Sequence, residues 1–289
     1  MSTMTTQPPT SRDAHDIAHL QLVPRKHLGR KISAAIVILL LVLLVRAFVY
    51  GQVEWNVVGQ YLFAPVIIAG IWNTLLMTAC AMTLGIALGV IIAVMRISGN
   101  PVMEKVALGY VWIFRGAPAL VQLLLWYNLA LVFPTIGIPG LFQINTVQVM
   151  TPFVAALLGL GIQQGAYTSE VVRSGFLSVD SGQYEAAQTI GMTSMQTLRR
   201  IVLPQAMRVM VPPVGNEVIS MVKLTSLASV IQFTEILYNA QIIYYANARV
   251  LELLLVASFW YLVIVTILSM IQSRIERHYA RGIRGVAKL

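Results

Sequence analysis

Residues 183–204 read QYEAAQTIGMTSMQTLRRIVLP, a polar, Gly-punctuated stretch in a chain that is apolar almost everywhere from residue 33 onward. A short loop would join two apolar spans at lower cost, so the stretch asks for a reason. Asp180 or Ser181 can cap a helix that runs to Ile190 and carries Glu185 in its first turn, where a carboxylate suits the positive helix end. Gly191 suits a left-handed terminus. Thr193, with Gln196 three residues on, has the pattern of a capping box that restarts a helix. The spacing therefore predicts two short helices around a Gly elbow. Ala187, Ile190, Leu198 and Ile201 fall on or near one face, while Gln188, Gln196, Arg199 and Arg200 fall elsewhere. Such an apolar stripe either packs on the protein's own spans or on lipid headgroups, or docks into a partner.

Of 289 residues, 57% are hydrophobic and 11% charged, with a mean hydropathy of +0.76, whereas a soluble domain carries about a quarter charged residues. The apolar runs far exceed the roughly ten alternating residues of a barrel strand, and hydrocarbon forbids unpaired backbone groups, so the fold class is read as all-α and polytopic. Six spans are expected, at about 33–50, 71–95, 107–131, 151–172, 209–231 and 252–273. Residues 1–32 read as a flexible tail and 276–289 as a basic one. The segment RAFVYGQVEW, 46–55, offers no small-x-small cleavage site, so the first span reads as an uncleaved anchor. Even span number puts both ends on one side. Sixteen of the twenty Lys and Arg fall on that side, which the positive-inside rule makes cytoplasmic. The net charge of +9 is thus mostly topology, and nucleic acid is not an expected partner.

Several function classes lose their support at this point. The single cysteine, Cys80, lies in an apolar run and has no partner for an internal disulfide, and His15, His19, His27 and His278 all lie outside the spans. Neither a metal site nor a catalytic group is expected, because no intramembrane His and no paired Asp are present. No G-x-x-x-x-G-K-[ST] sequence occurs, so the chain does not cradle nucleotide phosphates through that motif. An ion-coupled carrier or channel is the alternative to an ATP-driven transporter. It would favour repeated, Gly/Pro-broken half-sites, and no convincing internal repeat is seen.

Charges in hydrocarbon cost about 2.5–3.5 kcal/mol each on insertion scales, so those found there face protein or water. Arg115 and Gln122 lie seven residues apart in the third span. Gln163, Tyr167 and Glu170 follow i, i+4, i+7 in the fourth, and Asn216, Ser220 and Lys223 do the same in the fifth, with Glu217 at the border. Converging, these faces would form a path with both charge signs, suited to the ammonium and carboxylate of an amino acid. Alternatively, Arg115, Glu170, Glu217 and Lys223 pair with one another or with helix ends and fix packing. Gly85 with Gly89, and Gly161 with Gly165, are small-xxx-small pairs that let helix backbones approach closely.

The spacing of Glu185-Ala186-Ala187, Gly191 and Ile201-Val202-Leu203-Pro204 resembles the EAA motif of binding-protein-dependent ABC importer permeases. AYTSEVVRSGFLSVDSGQYEAAQTIGM, LPQAMRVMVPPVGNEVISMVKLTSLASVI, GIWNTLLMT and FRGAPALVQLLLWY are similar to the polar amino acid subfamily, and the likeness covers about residues 65–275. The resemblance implies a five-helix type I transmembrane domain preceded by one extra span. It implies that Gln183, Glu185, Ala186, Ala187, Gly191, Ile201, Leu203 and Pro204 couple the chain to a separate ATPase, which carries the ATP and Mg, so that no cofactor belongs to this chain. A solute-binding protein outside, a second permease subunit, identical or different, a small polar solute and a bacterial cytoplasmic (inner) membrane complete the expectation. Two departures stand out. Leu224 follows Lys223 where the subfamily often has an acidic or amide residue, and the span at 33–50 is additional.

Overall fold

A computed structural model describes residues 28–138 and 142–279. Most of the expected tails, 1–32 and 276–289, lies outside the described residues; 28–32 and 276–279 are already helical. The chain divides into two compact units, Met1–Val53 and Glu54–Leu289. Among the described residues the first contains α1 (Leu28–Val49), which begins before the expected span and carries Arg46 over the Tyr50 ring at 5.5 Å.

The second unit opens with α2 (Trp55–Leu62) and α3 (Pro65–Ile97), followed by α4 (Pro101–Gly116) and α5 (Ala119–Tyr127). A hairpin of β1 (Thr135–Ile138) and β2 (Phe142–Asn145), antiparallel with Thr135 opposite Asn145, then leads through α6 (Thr146–Val149) into α7 (Pro152–Leu177). The remaining helices are α8 (Ser181–Thr189), α9 (Ser194–Thr197), α10 (Leu203–Leu224), α11 (Ile236–Asn247) and α12 (Val250–Tyr279). The fold is helical as expected, with the small hairpin as an addition.

Proline opens α3, α4 and α7, where its missing N–H is no loss and its φ is already helical. Asn100 caps α4 by accepting from the Val102 amide at 2.9 Å, and Thr151 caps α7 by accepting from that of Val154 at 3.3 Å. Among the described residues, α3, the rod Ser194–Ile231 and α12 are each long and apolar enough to cross a membrane. The 26-residue α7 has the length to do so, although Gln163, Gln164, Glu170 and Arg173 lower its hydropathy.

Two expectations need correction. The span expected at 107–131 is not straight: α4 and α5 meet at 101° across Ala117 and Pro118. Proline has no N–H and restricts the residue before it, so the helix stops there. The span expected at 209–231 begins far earlier. A π-turn, Leu198–Val202, joins α9 to α10, and a 3-10 stretch, Thr225–Ile231, ends the rod. The second of the two predicted short helices is therefore the start of a span.

The glycine pairs do what their spacing predicts. Helices α3 and α7 run parallel, with Gly85 against Gln164, Gly89 against Thr168, Gly161 against Leu84 and Gly165 against Leu88. An added Cβ at any of the four would lie 2.5–2.8 Å from a side-chain atom opposite, well inside contact distance. Around this pair, Met77, Ala81, Leu123, Leu160, Met221 and Ile231 form one buried cluster, and Ile67, Val222, Ile236, Leu253 and Val256 another.

Candidate coupling segment and solute path

Asp180 caps α8 by accepting from the Gly182 amide at 2.8 Å. The helix closes with paired bonds from Met192 N to Ala187 O at 3.0 Å and from Gly191 N to Gln188 O at 2.9 Å, the Schellman arrangement, with Gly191 at φ +76°. Thr193 restarts the chain through a reciprocal box: its hydroxyl accepts from Gln196 N at 3.3 Å, and Gln196 Oε1 accepts from Thr193 N at 2.9 Å. Gln205 Nε2 donates to the Ile201 carbonyl at 3.0 Å and to Gln183 Oε1 at 3.4 Å, tying α8 to the base of α10.

The expected stripe is divided. Ala187 is buried, whereas Ile190 is 74% exposed and Leu198 is exposed too; Met195, outside the stripe, is 61% exposed. Ile201 is half-buried; Gln183, Glu185, Ala186, Gly191, Leu203 and Pro204 are exposed. The π-turn widens the helix, so residues on its two sides fall out of the regular register.

The polar residues gather into three groups rather than one. Glu170 accepts from Arg96, from Arg173 Nε at 3.2 Å and lies 3.8 Å from Arg115 Nη1; the Arg115 guanidinium also stacks over Tyr167, 5.2 Å from the ring centre. One carboxylate thus meets three guanidinium groups from α3, α4 and α7. Glu217 of α10 accepts from Gln164 Nε2 and Thr168 Oγ1 of α7, both at 2.8 Å. On another face of α10, Asn216 donates to Glu276 at 3.2 Å, while Ser220 and Lys223 are exposed. Lys223 has no ion-pair partner among the described residues. Gln122 lies beyond the bend from Arg115, and its amide caps the end of α4; Gln163 is buried with its Oε1 unpartnered.

Arg96, Gln164, Thr168 and Glu276 were not anticipated. Thr168 sits four residues after Gln164 and three before Val171, so the heptad that holds Gln163 and Glu170 has a polar neighbour on its flank. Glu235 was missed too. It is fully buried, caps α11 by accepting from Leu237 N at 2.9 Å and Tyr238 N at 2.7 Å, and also accepts from the Tyr261 hydroxyl. Burial pushes its carboxyl up to about 7.

Residues 85–281 match the family described as binding-protein-dependent transport system inner membrane component. The chain belongs to this family. The permease is 41% identical over 266 residues to the arginine transport system permease protein ArgU of Corynebacterium glutamicum, covering 91% of this chain and 84% of that one. It is 38% identical to the L-cystine transport system permease protein TcyB of Bacillus subtilis (79% and 92% covered) and 32% identical to the glutamine transport system permease protein GlnP of Escherichia coli (78% and 97%). A solved amino acid ABC transporter with histidines superposes with a TM-score of 0.68 at 34% identity, over 79% of the permease and all of that chain. The permease is a membrane-spanning transport component of an ABC importer.

Proposed function

We propose that the permease moves polar amino acids or related small zwitterions inward through a path bordered by α10, driven by a separate ATPase that grips the segment 181–204. The observation that carries this reading is the exposed polar stripe of Asn216, Ser220 and Lys223 on a span, where lipid contact would disfavour every one of these groups. A cation without an ion-pair partner among the described residues, beside hydroxyl and amide groups, suits the carboxylate of a zwitterion. Relatives named for arginine, cystine and glutamine support the amino acid class. The exposed Ile190 and Met195 support docking of the elbow into a cleft of the ATPase, with Gln183, Glu185, Ala186, Ala187, Gly191, Ile201, Leu203 and Pro204 as the coupling set. Arg115, Gln122, Gln163, Tyr167, Glu170 and Glu217 would line or brace the path from α4, α5, α7 and α10.

In this reading a loaded binding protein docks outside, a second permease subunit completes the path, and ATP and Mg act on the partner; both termini face the cytoplasm of a bacterium. Uptake of labelled arginine, glutamine and cystine into vesicles holding the permease, its ATPase and its binding protein tests it. Uptake should stop with a hydrolysis-dead ATPase and fall at least tenfold in Lys223→Ala. Uptake driven by an ion gradient alone would overturn the proposal in favour of a secondary carrier.

A further inference from the structure

The break between α4 and α5 lies inside an apolar segment, and its backbone leaves a local debt. In a continuous helix the Phe114 carbonyl would accept from the amide of residue 118, but Pro118 has no N–H. The last backbone bond of α4 is Ala117 N to Ile113 O at 3.1 Å, and the first of α5 is Gln122 N to Pro118 O at 3.1 Å. The four carbonyls between them, of residues 114–117, need other donors. Gln122 supplies two of them: its Nε2 donates to Phe114 O at 3.1 Å and to Ala117 O at 2.9 Å. The side chain is only 4% exposed.

Packing does not set the angle by itself. A cavity of about 240 Å³ lined by Phe114, Ala117, Gln122 and Trp126 lies at the break, and a second of about 440 Å³ is bounded by Trp112, Ile113, Gly116 and Ala117. Away from the break α4 is packed: Ala107 and Val111 are buried with Ile92 of α3, and the Tyr110 hydroxyl donates to the Ile162 carbonyl of α7. α5 is anchored too: the fully buried Leu123 sits against Gly159 of α7, where an added Cβ would approach it at 3.0 Å. Both helices are thus held away from the break, the concavities leave the joint itself loosely packed, and the amide of Gln122 spans it.

We propose that Gln122 is a positioning residue whose side-chain amide supplies the hydrogen bond that Pro118 withholds from Phe114 and a second one to Ala117, and so fixes the angle at which α4 meets α5. The angle determines where Arg115, three residues before Pro118, arrives beside Glu170 and Tyr167. This role goes beyond the transport reading, because it holds whatever solute is carried.

The test uses the full chain in lipid vesicles with its ATPase, in a Cys80→Ser background, with spin labels on cysteines at the exposed positions Trp112 and Leu125. The parent should give one narrow distance distribution. Gln122→Leu, which has no donor, and Gln122→Asn, which is one methylene too short, should each at least double its width. Transport should fall at least tenfold while ATP hydrolysis stays within twofold. Pro118→Ala returns an N–H to the break, so Gln122→Leu should broaden the distribution less in that background than in the parent. An unchanged width in Gln122→Leu, or equal broadening in both backgrounds, would overturn the proposal. Lost transport with an unchanged width would also overturn it and leave Gln122 as a contact for the solute. If Gln122→Leu alone fails to assemble, assembly of the Pro118→Ala/Gln122→Leu pair supports the proposal, and its failure refutes it.

Discussion

Replacing Gly89 with alanine should destabilise the permease, while the same change at Gly109 should stabilise it. At Gly89 the new methyl would lie 2.7 Å from Thr168 Cβ, 2.9 Å from its Cγ2 and 3.0 Å from the Ser169 backbone nitrogen. Comfortable carbon contacts are about 3.5–4.0 Å, so α3 and α7 must part by roughly 1 Å. The obstacle includes main chain, which cannot rotate away. Nor can α7 retreat freely, since Gln164 and Thr168 bind Glu217 of α10 at 2.8 Å. Overpacking of this kind costs about 1–3 kcal/mol, and a weakened hydrogen bond to a charged group adds about 1 kcal/mol. At Gly109, in α4, an added Cβ meets nothing within 4 Å. Relief of unfolded-chain entropy there should contribute about 0.5–1 kcal/mol. Thermal unfolding of the purified permease in lipid nanodiscs reads both: Gly89→Ala should melt roughly 4–8 °C lower than the parent, and Gly109→Ala slightly higher. Equal midpoints for the two variants would refute the claim that glycines at this interface are there for close approach.

Gly191→Ala meets open space, and an elbow that relaxes when free but must return to φ near +76° on docking bears a strain of about 1 kcal/mol in the complex. Its melting point should barely move, while affinity for the ATPase falls about fivefold in a co-purification titration, and Gly191→Asn should fall less. Glu170→Gln leaves Arg96, Arg115 and Arg173 around a neutral amide and should cost roughly 1–3 kcal/mol, given partial exposure, with part of the loss recovered in the Arg96→Gln double variant by the same melting assay. Glu235 has its folded pKa raised to about 7 from an ordinary value of 4.5, so the folded form binds the proton more tightly. Stability should therefore fall as pH rises between those values, by roughly 3 kcal/mol, and stay level above them. Melting points at pH 5 and pH 8 check the sign, and Glu235→Gln should flatten the difference.

Local signals with a fixed backbone meaning were legible in the sequence. The cap, read as Asp180 or Ser181, the Gly191 terminus and the Thr193–Gln196 box each depend on neighbours within five residues and all appear, with Asp180 as the cap, although Glu185 lies past the first turn where it was expected. The paired glycines of α3 and α7 were legible for a similar reason: periodicity puts them on one face. Hydropathy is blind to backbone direction, so the apolar run 107–131 read as straight although Gly116-Ala117-Pro118 is a breaker in plain view. The continuity of α9 with α10 was hidden by Pro204, which a π-turn accommodates by shifting the bonding from four residues to five. Contacts between distant helices were the least visible. Nothing local to Glu170 names Arg96 as its partner, and Glu235 is an uncommon cap whose burial depends on Tyr261 from another span.

The fusion of α9 into α10 has a mechanical consequence. Ser194–Ile231 is one beam of 38 residues, and at 1.5 Å per residue it measures about 57 Å end to end. No slack tether separates its foot from its far tip, so a rocking of about 10° about the middle of the beam gives a throw of about 5 Å at each end. The paired prolines Pro212 and Pro213 lie near the middle of this beam, where a pivot would split the stroke between the two leaflets.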